Sequence, residues 1–238
     1  MTEIKKNFIK LGYRILHSRY FGKIFGSYRV TWELAGITKS TAMDAVWFNA
    51  KDEHEFWQSG AEEAERLRKF VSRSSVVLDV GCGLGRVEKY LAPYCKEINS
   101  VDISARMLRF AKNNLKEQSN VFLHRNNGKD LSFFPDKKFD FVFCLLVLQH
   151  LEKEDAFMYI KEIHRVLGQG GVACMQFPDF LSDKSFAYFT NYALEGAKHS
   201  ARVRCYTEPE VRRILDFIGF EKIEISLKDA DILVVASK

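Results

Sequence analysis

The stretch from Val76 to Arg86, VVLDVGCGLGR, constrains the fold more than any other. Its first five residues form a short apolar run, rich in β-branched side chains, with one acidic residue near its end. Such a run suits a parallel strand buried on both faces. Three alternating glycines follow, Gly81, Gly83 and Gly85. Glycines there imply a tight turn in which the backbone approaches a ligand that a Cβ would exclude. Residues 86–91 then read as the start of a helix. A strand, a glycine turn and a helix in succession form the ligand-binding corner of an α/β sheet, with the ligand outside the strand's carboxyl end.

The rest of the chain repeats that alternation. Further strands are expected at 97–101, 121–124, 139–145, 172–177, 220–227 and 232–236, the last two as an antiparallel pair at one edge. Between them, Ser104 caps a helix to about Lys116, and another helix covers 153–167 until Gly168-Gln169-Gly170-Gly171 breaks it. Asp52 with Glu55, and Thr207 with Glu210, read as capping boxes that open helices to about Val71 and Ile218. The fold class is therefore α/β, a doubly wound, seven-stranded, mostly parallel sheet with a helical N-terminal extension. Residues 1–51 form that extension, 31–51 being aromatic and irregular, and residues 52–238 the main domain, with an insert at 178–205.

Charge is unevenly spread. The net charge is +5, yet residues 1–30 alone hold seven basic residues against Glu3, so the body beyond them sums to −1. A near-neutral body does not favour a general nucleic-acid surface. The basic stretch interleaves Ile4, Phe8, Leu11 and Ile15 at helical spacing. It reads either as an amphipathic helix for an anionic membrane or acidic partner, or as a helix packed on the body with solvated lysines. No apolar run approaches the roughly 20 residues that span a bilayer, and no secretion signal is visible. Five widely spaced cysteines without a CxxC indicate reduced thiols in a cytoplasmic protein, and no metal site is expected.

The site begins with Asp79 and the turn Gly81-Cys82-Gly83-Leu84-Gly85. A dinucleotide-binding turn has its third glycine one residue later, where this chain has Arg86. Asp102 sits just past the second strand, 21 residues after Gly81. Its carboxylate, an acceptor with two oxygens, suits the vicinal diol of an adenosyl ribose; the alternative is an acidic residue preceding the helix that Ser104 opens.

Residues 77–85 resemble motif I of class I S-adenosylmethionine-dependent methyltransferases. Val101-Asp102-Ile103-Ser104 with Met107 resembles their second motif, 127–131 and 139–142 the third and fourth, and Arg165-Val166-Leu167 with Gly170-Gly171 the turn before strand five. The resemblance runs from about Glu53 to the C-terminus and is nearest to bacterial small-molecule enzymes related to ubiquinone-biosynthesis methyltransferases. It implies the Rossmann-like methyltransferase fold, S-adenosyl-L-methionine as cofactor and S-adenosyl-L-homocysteine as product. It further implies that Gly81, Cys82, Gly83 and Gly85 approach the methionine part, with Asp79 holding that region. Asp102 takes the ribose, and Ile103 and Met107 pack on the adenine. Asn127 stands where the family has an aspartate beside the adenine amino group, and Gly128 adds backbone contacts. Leu145 ends strand four beside the sulfonium.

The acceptor is less legible. His150 is the candidate general base, or else a histidine capping the next helix; Gln149 precedes it. The insert carries Phe180, Phe186, Tyr188, Phe189, Tyr192, His199, Arg202 and Arg204, followed by Tyr206. It reads as a substrate lid in which Arg202 and Arg204 bind an anionic group, or as a surface helix with solvated arginines. The expected reaction is methyl transfer to a small molecule, preferably at oxygen, since no DPPY-like or NPPY-like tetrad follows strand four. A protein or RNA acceptor is the alternative among enzymes, and a non-catalytic cofactor-binding partner subunit the alternative outside them.

Overall fold

The computed structural model describes residues 27–47, 50–195 and 202–238. The expectation for a basic amphipathic helix falls almost wholly outside the described residues, as does His199 of the insert. One seven-stranded sheet organises the chain: β1 (Val76–Val80), β2 (Glu97–Asp102), β3 (Val121–Arg125), β4 (Phe139–Cys144), β5 (Leu167–Pro178), β6 (Glu221–Lys228) and β7 (Asp231–Ser237). Their order across the sheet is β3-β2-β1-β4-β5-β7-β6. The first five strands are parallel, and β7 is antiparallel to both of its neighbours. The final pair is thus antiparallel, as expected, but β7 docks on β5 and leaves β6 at the edge. Strand order reverses between β2-β1 and β4, which opens a crevice above the carboxyl end of β1.

Both faces of the central strands are buried, which is why β1 and β4 read as continuous apolar runs. On β4, Phe141 and Phe143 pack on one side with Val77, Ile98 and Leu91. Val142 and Cys144 pack on the other with Leu78, Val80 and Ile163. Phe139 breaks the two-residue alternation by joining Val142 and Cys144. A register shift between Phe139 and Phe141 accounts for it, because one extra residue turns a side chain to the opposite face. Each of these fully buried phenylalanines contributes about 1.5–3 kcal/mol by apolar burial.

Among the described residues the α-helices are α1 (Tyr28–Ala35), α2 (Lys39–Val46), α3 (Glu53–Leu67), α4 (Glu88–Leu91), α5 (Ala105–Asn114), α6 (Lys153–Val166), α7 (Asp183–Glu195) and α8 (Glu208–Ile218). Three sequence expectations need correction. Residues 31–51 are not irregular: two short helices form there, α2 opened by Thr38, whose hydroxyl accepts from Thr41 N–H at 3.1 Å. Gly168-Gln169-Gly170-Gly171 ends α6 but stays in the sheet, because Leu167 pairs with Phe139 and the N–H of Gly170 reaches Lys238 O at 2.7 Å. At the start of α3, Asp52 accepts from Glu55 N–H at 2.9 Å, but Glu55 accepts from Lys51 N–H at 2.9 Å, one residue outside the usual box. The second box closes as expected, with Thr207 N–H donating to the Glu210 carboxylate at 2.9 Å.

Candidate functional site

The floor of the site is a backbone device. The N–H groups of Gly81 and Cys82 both donate to Val101 O, at 2.8 and 3.0 Å, and carry the turn from β1 across to β2. Gly83 N–H donates to one oxygen of Asp102 at 2.9 Å, and Ser104 N–H to the other at 2.8 Å. Asp102 therefore both fastens the glycine turn and precedes the Ser104 cap. Burial pushes its carboxyl up to about 6, against the lowering effect of the two N–H bonds. Gly81 has φ +92°, and a Cβ there would lie 2.1 Å from Val147 Cγ2. Gly83 has φ +53°, and a Cβ would lie 2.8 Å from Val46 Cγ2. Only glycine gives both the left-handed backbone and the close approach.

One cavity opens above this floor. Asp79, Gly81, Cys82, Gly83 and Asp102 border it from the sheet side. Ile103, Met107 and Gly128 border it beside α5, and Leu145 and His150 beyond β4. Gly85 does not. It has φ +80° and donates to Cys82 O at 2.9 Å, so it shapes the exit from the turn behind the cavity. Asn127 is also outside, because its side-chain oxygen is taken by the N–H groups of Lys129 and Asp130, at 2.7 and 3.1 Å. Its neighbour Asn126 borders the cavity instead. Asn126 Nδ2 donates to Tyr159 Oη at 2.9 Å, while its Oδ1 is buried without a hydrogen-bond partner.

The residues expected from the insert lie elsewhere. Arg204 donates to His150 O at 2.8 Å and to the Glu152 carboxylate at 2.6 Å, and Arg202 reaches Glu152 at 3.1 Å. Both arginines are held by a carboxylate under the 149–152 turn rather than bordering the cavity. Tyr206 is wholly buried against Phe177, ring centroids 5.1 Å apart, as part of the core. Its backbone pairs with the end of β5, which draws the ring inward: Tyr206 N–H donates to Pro178 O at 2.9 Å. Gln149 stands behind His150, its Nε2 3.1 Å from the imidazole Nε2. Whether the imidazole nitrogen donates or accepts here is set by the ring's tautomer.

The sequence did not show the roof. Helices α1 and α2 cover the cavity with Tyr28, Trp32, Ala45 and Val46. The Trp32 ring meets His150 edge-on, centroids 4.9 Å apart. Helix α1 is tied at both ends. Tyr28 Oη donates to Asp155 at 2.7 Å and accepts Glu152 N–H at 2.8 Å, at the start of α6. Glu33 accepts the N–H groups of Ala105 and Arg106, at 2.9 and 3.3 Å, and the Arg125 guanidinium at 2.9 Å, at the start of α5. A carboxylate at a helix N-terminus is favoured by both free N–H groups and the dipole. Leu146, also on the cavity wall, has φ +61°, a left-handed conformation that a leucine adopts only at a cost of about 1–2 kcal/mol. Such strain clusters at ligand sites.

Residues 78–175 match the family model of a methyltransferase domain. That match takes in the glycine turn and Asp102. Similar proteins include the demethylmenaquinone methyltransferase of Tropheryma whipplei, 29% identical over 155 residues that make up 65% of this chain and 57% of that one. Another is the malonyl-[acyl-carrier protein] O-methyltransferase of Hamiltonella defensa, 27% identical over 156 residues, 64% of this chain and 51% of that one. The chain thus spans little more than half the length of these relatives. Among solved structures, the magnesium protoporphyrin IX methyltransferase of Synechocystis with bound S-adenosylhomocysteine superposes with a TM-score of 0.67 at 17% identity, covering 89% of this chain and all of that one. A SAM-dependent methyltransferase of Aquifex aeolicus gives 0.58 at 19% identity, covering 78% and 93%. These establish the Rossmann-like fold.

The cavity suits S-adenosylmethionine, the cofactor that the sequence resemblance implies. The glycine floor excludes side chains where a ligand backbone must lie. Asp102 keeps lone pairs beyond the two N–H bonds and can accept from ribose hydroxyls. Asn126 Oδ1 is a buried acceptor without a donor, which an adenine amino group can satisfy. Ile103 and Met107 supply apolar lining for a planar ring.

Proposed function

We propose that this protein is a methyltransferase that transfers the methyl group of S-adenosylmethionine to a hydroxyl on a small, largely apolar acceptor. The observation that carries this reading is His150 bordering the same cavity as the glycine turn and Asp102, with the Trp32 ring against it. When bound, the cofactor supplies an activated methyl group on a sulfonium. The chain has three tasks beyond that. The glycine turn, Asp102 and Asn126 hold the adenosyl portion. Helices α1 and α2 close the cavity to water and present Tyr28 and Trp32 to an aromatic or aliphatic acceptor. His150 takes the hydroxyl proton on Nε2, which requires the acceptor to displace the Gln149 amide from that lone pair. The names of the similar proteins, a demethylmenaquinone, a malonyl-[acyl-carrier protein] and a magnesium protoporphyrin IX methyltransferase, support a metabolite-derived acceptor.

The test is transfer of label from methyl-labelled S-adenosylmethionine to a panel of hydroxylated aromatic and aliphatic acceptors. His150→Ala should lower kcat by about 10²-fold or more, as removal of a general base does, with little change in cofactor affinity. Label recovered in protein or RNA from a cell extract, rather than in organic-soluble products, would overturn the small-molecule reading. Tight binding of S-adenosylhomocysteine with no turnover of any acceptor would favour a non-catalytic subunit.

A further inference from the structure

Beside the floor lies a second carboxyl group that the sequence reading left unassigned. Glu88 opens α4, directly after the glycine turn, and both it and Asp79 of β1 border the cavity. Glu88 is wholly buried and Asp79 is 4% exposed. The Asp79 carboxyl and the Ser100 hydroxyl lie beside the Glu88 carboxyl, whose two oxygens are shut off from solvent. Two ionised carboxylates cannot bond to each other, whereas a proton on Asp79 lets it donate to Glu88. A buried, unsatisfied carboxylate in a polar pocket is costly unless a proton or a cation answers it.

We propose that Asp79 and Glu88 share one proton while the cavity is empty and release it to solvent when a cationic group of the cofactor's methionine part settles beside them. The pair thus makes cofactor capture proton-coupled. This rests on the reading of the cavity as an S-adenosylmethionine site.

The surroundings agree. Burial and mutual repulsion raise the Asp79 carboxyl well above its usual range, and burial raises that of Glu88. The charged and titratable groups facing the pair are few. Arg86, from the turn, lowers both carboxyls, but its guanidinium is itself buried. That guanidinium is shared with Glu63 of α3, Ser59 and the Trp47 ring. Asp102, at the end of β2, adds a third negative group. The Cys82 and Cys144 thiols are pushed up by burial and by Asp79, and stay protonated. One arginine therefore faces three carboxyls, and a ligand cation supplies the missing charge. Both carboxyls are raised in the empty protein and fall when a cation arrives. Affinity for the cation-bearing ligand therefore rises with pH until the pair ionises unaided, and is flat above that.

The experiment is titration calorimetry at pH 6.5 in buffers of different ionisation enthalpy, which counts protons exchanged on binding. The probes are S-adenosylhomocysteine, which carries an ammonium, and 5′-methylthioadenosine, which lacks the amino-acid portion. The wild-type protein should release up to one proton more with the first than with the second, and Glu88→Gln should abolish the difference. Because that variant can fail to fold, the wild-type affinity is also measured from pH 5.5 to 8. The dissociation constant for S-adenosylhomocysteine should fall with pH at the acid end by up to tenfold per pH unit more than that for 5′-methylthioadenosine, which shares only the contribution of Asp102, raised to about 6 beneath the ribose of both ligands. Equal proton counts for the two ligands, or parallel pH profiles, would overturn the proposal while leaving the cofactor site standing. Failure of both ligands to bind would overturn the site itself.

Discussion

The floor and the roof of the cavity are built by different means. In the floor, backbone N–H groups of Gly81, Cys82 and Gly83 are answered by a backbone carbonyl and by the buried Asp102, so its shape is set before any ligand enters. In the roof, α1 has no fully buried residue and is held by two side-chain ties, Tyr28 to the start of α6 and Glu33 to the start of α5. A fixed floor suits a cofactor that never changes. A roof on a few polar ties opens at low free energy and can be remodelled for a particular acceptor. The contrast predicts that floor changes act on cofactor binding and folding, and roof changes on the acceptor.

The largest effect is expected from Gly81→Ala. It places a Cβ 2.1 Å from Val147 Cγ2 at φ +92°, combining overpacking with a left-handed backbone. Together these should destabilise the protein by about 2–4 kcal/mol and abolish measurable S-adenosylhomocysteine binding, checked by chemical denaturation and calorimetry. Retained affinity would show that the floor yields, and the contrast would collapse.

Trp32→Ala comes next and belongs to the roof. It removes the ring that meets His150 and opens a partly buried apolar cluster formed with Ala42, Met43 and Phe56. The acceptor KM should rise by about tenfold or more, since burying an aromatic ring contributes a few kcal/mol at most, while the S-adenosylhomocysteine dissociation constant moves less than threefold. An equal change in both would merge roof and floor.

This division also explains what the sequence showed. The floor is local: strand, glycines and the Asp102 that receives them lie within 27 residues and carry period and punctuation that can be read directly. The roof depends on contacts between residues more than 70 apart, such as Glu33 with Ala105, or Tyr28 with Asp155, which no local pattern encodes. Asn126 and Asn127 show the limit within one loop. Either amide could face the adenine, and only the turn that engages Asn127 Oδ1 with Lys129 and Asp130 turns Asn126 to the cavity. Arg202, Arg204 and Tyr206 show a similar limit. Their types suggested a substrate lid, but a half-exposed Glu152 and the end of β5 claim them first. Glu88 was overlooked because one carboxylate on a short helix has no pattern to mark it, and its meaning comes from Asp79, nine residues away in sequence.

Glu33→Gln probes the joint between the two regions, because the same α5 whose first N–H groups Glu33 receives carries Met107 on the cavity wall. The amide keeps one acceptor but loses the charge that favours the helix start and pairs with Arg125. A loss of about 0.5–1 kcal/mol in stability is expected, with a two- to fourfold rise in both the acceptor KM and the S-adenosylhomocysteine dissociation constant.

The smallest change is Tyr28→Phe, and it separates the two regions most cleanly. It deletes one oxygen that bridges Asp155 and Glu152 N–H, 2.7 and 2.8 Å away, and leaves the ring in the cavity wall. The site is half-buried, so water can replace the lost partner at the α6 N-terminus, and Asp155 keeps its favourable place in the first helical turn. Stability should fall by about 0.5–1 kcal/mol. Local opening of α1 should become correspondingly easier, visible as faster amide exchange at residues 28–35 with that of β1 unchanged. The acceptor KM should rise two- to fivefold while the S-adenosylhomocysteine dissociation constant stays within error of wild type. If amide exchange at β1 quickened as well, the tie at Tyr28 would be holding the floor through α6, and the two regions would have to be treated as one cooperative unit.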